Sequence, residues 1–327
     1  MKSHTYEIQA RDWGAVLGWP VVMTLLLGGL VRVGSMVPGM PSPRPTLDVD
    51  RTVIVHQVDL SRDPAPAEII LIGDSSCLMN VDAGLLAELC GAETVNLGAL
   101  SFLDLKAFAR LLANKVSAQT EKPKTVVLLT HPDFVRKNSA SRAHLEVFET
   151  YSKGTDHYYG LGAWWNPRRL LATHVIEGRF LSRVPTPLSG AFGEFYGFTN
   201  ELLAYMDAHH GSTIDPRILD VGALRGSSDY RVASYHKRLA ESVLEAVPDG
   251  SQLCLGLSPV PASFPAAGFD KAYARLLEQW AEEFPGSVPL AGLPATLEDD
   301  QFATKTHLVA TARAAYTRRL AQLLKAL

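Results

Sequence analysis

The stretch that decides the fold is Ile69-Ile70-Leu71-Ile72-Gly73-Asp74-Ser75-Ser76, an apolar run that breaks abruptly into Gly-Asp-Ser. Branched apolar residues favour a strand and Gly-Asp favours a turn, so Ser75 is expected at the carboxyl end of a strand. In open α/β sheets, ligands and catalytic groups gather at that edge. A serine on a tight strand-to-helix turn presents its hydroxyl outward, and a helix is predicted over residues 80–89.

Two further segments add candidate catalytic groups. The short strand Thr94-Val95-Asn96-Leu97-Gly98 ends in glycine and is followed by an amphipathic run over residues 102–112. Such a glycine lets the backbone approach the edge of the first strand, where the Gly98 N–H is a candidate donor to an oxyanion. Near the C-terminus, Thr304-Lys305-Thr306-His307-Leu308 opens a helix predicted to reach about Leu324, and His307 is a candidate general base for Ser75.

These three segments, in this order, resemble the blocks of the SGNH (GDSL-type) hydrolase superfamily. Gly73-Asp74-Ser75 matches the nucleophile block, Asn96-Leu97-Gly98 looks like the glycine block, and His307 stands where the C-terminal histidine belongs. The resemblance covers residues from about 66 to 327.

The resemblance implies a three-layer α/β/α sandwich with a parallel sheet, acting on O-acyl esters. Ser75 would be the nucleophile and His307 the general base. The backbone N–H groups of Ser75 and Gly98 would contribute to the oxyanion hole, with Asp74 in a supporting position.

The last block departs from the family pattern, which is Asp-x-x-His. Thr304 stands three residues before His307 and carries no charge with which to support an imidazolium. Asp299 and Asp300 lie slightly upstream and are candidate replacements. If neither replaces the missing acid, the site is expected to be a Ser-His dyad that hydrolyses esters weakly and gains activity on Thr304→Asp.

The oxyanion asparagine of the family is also missing. The third strand, Thr125–Leu129, leads into Thr130-His131-Pro132-Asp133, with no asparagine in the expected position. Two interpretations of His131 remain open: it donates to the oxyanion in place of asparagine, or it satisfies a turn.

An uncharged run, residues 13–31, precedes these blocks. At about 1.5 Å per residue, a helix of this length approaches the thickness of the bilayer's hydrocarbon core. A cleaved signal peptide is the alternative, although its apolar region is usually shorter, about 7–15 residues. We therefore expect a retained single-pass anchor in the inner membrane, with the N-terminus in the cytoplasm and the catalytic domain in the periplasm or its equivalent.

The expected organisation follows from these features. Residues 1–12 form a cytoplasmic N-terminus, 13–31 the transmembrane anchor, 32–66 a Pro-rich linker, and 67–327 the SGNH-like domain. A large insertion over the catalytic edge is predicted at about 137–235. The strands of the sheet are predicted at residues 68–72, 93–97, 124–129, 252–257 and 287–291, separated by helices.

Composition narrows the classes of partner. The net charge is −3 and the sequence has no basic run, so a nucleic-acid partner is not expected. The three cysteines lie in apolar contexts and are interpreted as core residues. His209, His210 and His236 lack further ligands at metal spacing, so neither a metal nor another cofactor is predicted.

An aromatic and arginine-rich segment, Tyr158–Arg169, lies within the insertion. Clustered aromatics of this kind suit a sugar, a membrane interface or a partner protein, and equally a hydrophobic cluster under a loop.

Together these features predict a membrane-anchored O-acyltransferase or esterase that acts through a Ser75 acyl-enzyme on the O-acyl groups of a cell-envelope or secreted polysaccharide. It resembles the accessory proteins of polysaccharide O-acetylation and teichoic-acid D-alanylation, which implies a multi-spanning membrane O-acyltransferase as partner. The alternatives are a stand-alone envelope esterase and a catalytically weak scaffold subunit.

Overall fold

The structure is a computed structural model. It describes residues 14, 16, 18–23, 25–26, 48–152, 185–224, 230–264 and 269–327. The chain divides into two units, one formed by residues 1–46 and 153–185 and the other by residues 47–152 and 186–327.

In the first unit, the described residues between 14 and 26 are helical, and apolar side chains such as Trp19 and Leu26 are exposed. No helix among the described residues is long and apolar enough to cross a membrane. Most of the predicted anchor, 13–31, lies outside the described residues, as does the aromatic segment Tyr158–Arg169.

The second unit contains the predicted sheet. Its described strands are β1 (Ile69–Gly73), β2 (Thr94–Asn96), β3 (Thr125–Thr130), β4 (Gln252–Leu257), β5 (Val260–Pro261), β6 (Val288–Pro289) and β7 (Thr296–Leu297). Strands β2, β1, β3, β4 and β6 lie in that order with every neighbouring pair parallel, and β5 pairs with β7 separately. The predicted parallel sheet is therefore confirmed, with strand bounds that differ from the prediction by a few residues at most.

The described α-helices of this unit are α1 (Val49–Leu60), α2 (Ser75–Asn80), α3 (Ala83–Cys90), α4 (Leu105–Ala118), α5 (Pro132–Val135), α6 (Arg142–Ser152), α7 (Gly190–Tyr196), α8 (Thr199–Ala208), α9 (Ser234–Lys237), α10 (Ala240–Ala246), α11 (Phe269–Glu282) and α12 (Ala310–Lys325). The helix predicted at 80–89 corresponds to α3, which begins three residues later than predicted, and the short helix α2 precedes it. His307 precedes the last helix, which begins three residues later than predicted.

The core explains why the sheet is sandwiched between helices. Every residue of β1 is buried, which requires cover on both faces of the sheet. Side chains alternate between the faces of a strand, and Ile69 and Leu71 share one hydrophobic cluster with Leu86 of α3 and Leu320 of α12. The architecture is thus a mixed α/β fold around a parallel sheet.

The predicted linker at 32–66 is wrong for its second half. Residues 49–60 form α1, which begins at an Asp48 cap and buries seven consecutive side chains from Thr52 to Val58. Within α1, the Gln57 amide donates to the carbonyl oxygens of Gly98 (2.5 Å) and Gly211 (3.2 Å). The helix therefore belongs to the folded unit. The proline-rich stretch at residues 38–45 predicted a linker that extends too far towards the C-terminus.

Candidate active site

The turn from β1 into α2 presents Ser75. A side chain at Gly73 would overlap the Leu129 carbonyl oxygen of β3, so only glycine allows the two strand ends to approach this closely. Asp74 then caps α2: its Oδ1 accepts from the backbone N–H and the hydroxyl of Ser76, at 3.0 and 2.6 Å. Asp74 Oδ2 accepts from the backbone N–H of His131 at 3.2 Å, which ties the end of β1 to the end of β3. Asp74 thus stabilises the turn that presents Ser75.

The predicted contact between Ser75 and His307 is present. Ser75 Oγ lies 2.9 Å from His307 Nε2, although the two residues are 232 positions apart. Asn80, at the end of α2, holds the loop that carries His307: its amide donates to the Thr306 carbonyl at 3.0 Å, and its Oδ1 accepts from the Leu308 N–H at 2.8 Å. Asn80 is fully buried, so these two hydrogen bonds fix the histidine from both sides.

The other nitrogen of His307 contacts an acid that the sequence did not indicate. His307 Nδ1 lies 2.6 Å from Asp215 Oδ2, whose side chain is completely buried. The carboxylate accepts only, so Nδ1 carries the ring proton and Nε2 is left to accept the proton of the Ser75 hydroxyl. Serine, histidine and aspartate therefore stand in the relative order of a nucleophile, a base and a group that orients the base.

Asp215 remains ionised despite its burial. Burial alone would raise its pKa, but hydrogen bonds from Arg217 and His307 outweigh that effect and hold the pKa of the carboxyl well below its ordinary range. Arg217 donates from Nε to Oδ1 at 2.8 Å and from Nη2 to Oδ2 at 2.5 Å. The Arg217 backbone N–H adds a third bond, to Oδ1 at 3.1 Å. A negative charge is thus maintained beside His307 at neutral pH.

The segment that carries Asp215 is fastened to the turn that carries Ser75. The Thr213 N–H donates to the Leu78 carbonyl of α2 at 3.1 Å. The Asn96 amide at the end of β2 donates to Ser212 Oγ at 2.9 Å. The Tyr196 hydroxyl donates to the Ile214 carbonyl at 3.1 Å. These bonds explain how a residue of the predicted insertion, 137–235, reaches the catalytic edge.

The two predicted replacements for the missing acid are wrong. Asp299 and Asp300 lie in a short 3₁₀-helix, where Asp299 Oδ1 accepts from the Ser263 N–H at 3.0 Å. Thr304 is buried, and its backbone N–H donates to the His307 carbonyl at 3.3 Å, so it contacts the backbone of the histidine. The condition for a Ser-His dyad is not met, because the Asp215 carboxylate lies in hydrogen-bonding contact with His307 Nδ1.

The candidate oxyanion donors differ from the expectation in part. The Gly98 N–H donates to Asn96 Oδ1 at 2.8 Å and is therefore already committed. Its glycine is required for another reason, since a Cβ there would lie 2.6 Å from the Leu78 backbone nitrogen. Among the residues that the structure describes, the Ser75 N–H has no hydrogen-bond acceptor and is available to an oxyanion.

Of the two interpretations of His131, the structure agrees with the one in which it satisfies a turn. Its Nδ1 accepts from the Asp133 N–H at 3.1 Å and so caps α5. Burial lowers the pKa of His131 to about 4 despite the opposing effect of nearby carboxylates, which keeps the ring neutral at pH 7. Its Nε2 is buried and has no partner within the described part of the chain, and the residue lines the same cavity as Ser75.

A cavity of about 930 Å³ lies over this edge of the sheet. Its lining includes Ser75, His307 and Arg217, together with Phe102 and Asp50 from other elements. This volume is within the range of small-molecule sites. Groups of His, Cys, Asp and Glu that could bind a metal are not found among the described residues.

Comparison of the chain with known protein families finds no matching family model, and comparison with curated proteins finds no match. The SGNH resemblance therefore stays an expectation that rests on the sequence blocks.

Three residues that shape the site, Asp215, Arg217 and Asn80, were not predicted from the sequence. Asp215 and Arg217 lie in Ile214-Asp215-Pro216-Arg217, where Asp-Pro is an ordinary signal of a turn. Asn80 ends a short helix and has no motif around it. The only available signal for Asp215 was its place in a segment predicted to cover the catalytic edge.

Proposed function

We propose that this protein is a serine-dependent O-acyltransferase or esterase that acts through an acyl-enzyme on Ser75. The observation that carries the proposal is the continuous hydrogen-bonded series from Ser75 Oγ to His307 Nε2 (2.9 Å) and from His307 Nδ1 to Asp215 Oδ2 (2.6 Å). Such a series at the carboxyl edge of a parallel sheet, facing a cavity, is the arrangement that activates a serine hydroxyl.

Each residue has a distinct part in the proposed reaction. Ser75 Oγ attacks the carbonyl carbon of an O-acyl ester while His307 Nε2 takes the hydroxyl proton. The tetrahedral intermediate then expels the alcohol oxygen, which takes that proton from His307, and the acyl group remains on Ser75. An acceptor hydroxyl next attacks the acyl-serine and gives its proton to His307. The second tetrahedral intermediate expels Ser75 Oγ, which takes this proton from His307, so the acyl group leaves on the acceptor and both residues are regenerated.

Asp215 and the Ser75 N–H support these steps. The carboxylate holds the imidazole in the tautomer that accepts the serine proton and stabilises the imidazolium that forms. The Ser75 N–H, at the start of α2, donates to the oxyanion of the intermediate. When the acceptor is a polymer hydroxyl the reaction is transfer, and when it is water the reaction is hydrolysis, so access of the acceptor decides between the two.

A sugar-bearing substrate fits the cavity. Phe102 lines the cavity and is 44% exposed, although its ring stacks on His144 (centroids 4.5 Å apart), so the remaining exposed part of the ring can contact the apolar face of a sugar. Asp48 and Asp50, at the start of α1, also line the cavity and can accept hydrogen bonds from sugar hydroxyls. These contacts support the O-acyl groups of a cell-envelope or secreted polysaccharide as the proposed substrate.

In this proposal, the protein acts at the inner membrane with its catalytic domain outside the cytoplasm. A multi-spanning O-acyltransferase beside it supplies the acyl group. The uncharged run 13–31 supports this location. Reporter fusions at the C-terminus test it: a reporter active only in the periplasm is expected to work, and activity of a strictly cytoplasmic reporter would contradict the topology.

The experiment that tests the chemistry is covalent labelling of the purified protein by a fluorophosphonate, together with hydrolysis of p-nitrophenyl acetate. Ser75→Ala is expected to abolish both. Ser101→Ala is the matched control, because Ser101 lines the same cavity without contacting His307 in the described contacts. Undiminished labelling of Ser75→Ala would show that the nucleophile is another residue, and an unlabelled wild-type protein would favour the scaffold alternative.

A further inference from the structure

The carboxylate of Asp215 is shared between two basic groups. Its Oδ2 is bonded both to His307 Nδ1 (2.6 Å) and to Arg217 Nη2 (2.5 Å), so these two nitrogens lie within roughly 5 Å of each other. Its Oδ1 accepts from Arg217 Nε and from the Arg217 backbone N–H. All the accepting positions of the carboxylate are thereby occupied, three of them by Arg217.

Arg217 also belongs to the cavity wall. Its side chain is 48% exposed and lines the cavity, and its guanidinium carbon lies 5.7 Å from the centre of the Phe192 ring of α7. Contact with Phe192 and the two-pronged pairing with Asp215 hold the guanidinium plane in one orientation. A permanent positive charge is thus fixed at the site of the proposed base.

We propose that Arg217 is a positioning residue that sets how strongly Asp215 supports protonation of His307. The inference rests on the proposed function, because it concerns the same triad. In the resting site, Asp215 and Arg217 form a neutral pair. During attack by Ser75, the imidazolium becomes a second cation on the same carboxylate, so part of the negative charge is already neutralised by the guanidinium.

This arrangement has a consequence for the pH range of activity. His307 must be neutral to accept the serine proton, so activity falls on the acidic side where the ring becomes protonated. A guanidinium beside the carboxylate opposes that protonation and shifts the acidic limb of the pH profile to lower pH. Without the guanidinium, the full negative charge of Asp215 stabilises the protonated ring of His307. The acidic limb of the pH profile then moves to higher pH.

An arginine that served only to orient Asp215 would behave in the opposite way. Without it, Asp215 would lose its alignment with His307, and the imidazolium would lose support. The rate would fall, and the acidic limb would stay in place or move to lower pH. The direction of the shift therefore separates electrostatic tuning from simple alignment.

Other charged and titratable groups surround the site and also contribute to the electrostatic field at His307. They are Asp74 after β1, His131, Asp133, Arg136 and Lys137 at the end of β3, Lys305 on the loop of His307, and Asp50 on α1, which faces Arg217. Arg136 is the matched control, because it pairs with Asp133 at 2.7 Å in the same cavity and does not touch Asp215.

The experiment measures the rate of fluorophosphonate labelling from pH 4.5 to pH 9 in the wild type, Arg217→Gln, Arg217→Lys and Arg136→Gln. We expect the midpoint of the acidic limb to rise by about half to one pH unit in Arg217→Gln. Arg217→Lys keeps the charge and is expected to restore the wild-type midpoint. An unchanged or lower midpoint in Arg217→Gln, or an equal rise in Arg136→Gln, would overturn the proposal.

A second measurement separates this inference from the proposed function. In the Ser75→Ala background, the pH at which the low-field proton resonance of the His307 ring changes is followed by NMR, with and without Arg217→Gln. A rise on loss of Arg217 supports the inference even if the wild type is never labelled, which would refute the proposed function alone. Labelling that depends on Ser75, combined with no rise in either measurement, would refute the role of Arg217 alone.

Discussion

Replacing Asp215 with asparagine tests the triad most directly, because the substitution keeps the shape of the side chain and removes its charge. The amide oxygen is expected to take the place of Oδ1, where the Arg217 Nε–H and backbone N–H both donate and cannot change role. The amide NH₂ then takes the place of Oδ2, where it faces His307 Nδ1 and leaves the Arg217 Nη2 donor without its acceptor. To accept that bond, the ring must move its proton to Nε2, and Nε2 can no longer accept the Ser75 proton.

The size of the effect follows from this change of tautomer. Loss of the carboxylate from an intact Ser-His-Asp triad lowers kcat by about 10⁴-fold. That factor corresponds to about 5.5 kcal/mol of lost transition-state stabilisation. We expect a loss of this order in kcat/KM for p-nitrophenyl acetate and in the second-order rate constant of fluorophosphonate labelling.

The matched controls are Asp299→Asn and Asp300→Asn, which remove carboxylates that lie nearer to His307 in sequence. Both variants are expected to retain wild-type rates, because the Asp299 carboxylate bonds the Ser263 N–H and neither residue contacts the imidazole in the described contacts. Thermal unfolding of each variant confirms that it is folded. If Asp215→Asn kept its rate to within about tenfold while Asp299→Asn lost activity, the assignment of the acid would be refuted.

Two other substitutions test the support of the site and the behaviour of a buried histidine. Asn80→Ala removes both hydrogen bonds that hold the loop of His307, and it is expected to destabilise the fold by about 2–4 kcal/mol and to lower kcat at least about tenfold. The measurement is kcat at a temperature well below that of unfolding. Asn114→Ala, which removes a half-buried hydrogen bond elsewhere, is the control and should leave kcat unchanged. Burial lowers the pKa of His236, beside Trp280, to about 4, so the unfolded state takes up a proton below about pH 6.5 and the folded state resists it. The free energy of unfolding is therefore expected to be about 2 kcal/mol lower at pH 5 than at pH 7 because of this histidine. His236→Phe should remove that part of the difference when urea unfolding is measured at the two pH values. An undiminished difference in the variant would show that other groups cause it.

The sheet and the position of Ser75 at its edge could be predicted because their signals are local. The run before Ser75 combines strand-forming residues with a turn-forming Gly-Asp, and the parallel arrangement brings such strand ends to one edge. The same argument brought His307 to that edge, and the 2.9 Å contact with Ser75 agrees with it. Periodicity and turn chemistry act over a few residues, which is the range that sequence patterns describe well.

The position of Asp215 and the helix α1 could not be predicted, because both depend on contacts between distant segments. Asp215 becomes buried and ionised only where Arg217 and His307 meet it. Helix α1 follows a proline-rich stretch, and its place in the core depends on burial of its apolar residues and on Gln57 reaching two backbone carbonyls. No local pattern distinguishes such a helix from the end of a linker.

The glycine block shows why matching motifs do not guarantee matching chemistry. Asn96-Leu97-Gly98 has the residues of the family block, yet the Gly98 N–H is bonded to Asn96 and is not available to an oxyanion. In place of that role, the Asn96 amide holds Ser212, three residues before the acid, and Gln57 holds the carbonyl of Gly211 beside it. The segment that supplies the acid is therefore anchored to the block that the resemblance assigned to the oxyanion. It follows that the packing of this segment against β2 and α1 positions Asp215 beside His307. Asn96→Ala is therefore expected to lower the rate of fluorophosphonate labelling through displacement of Asp215, and an unchanged labelling rate in the folded variant would contradict this role.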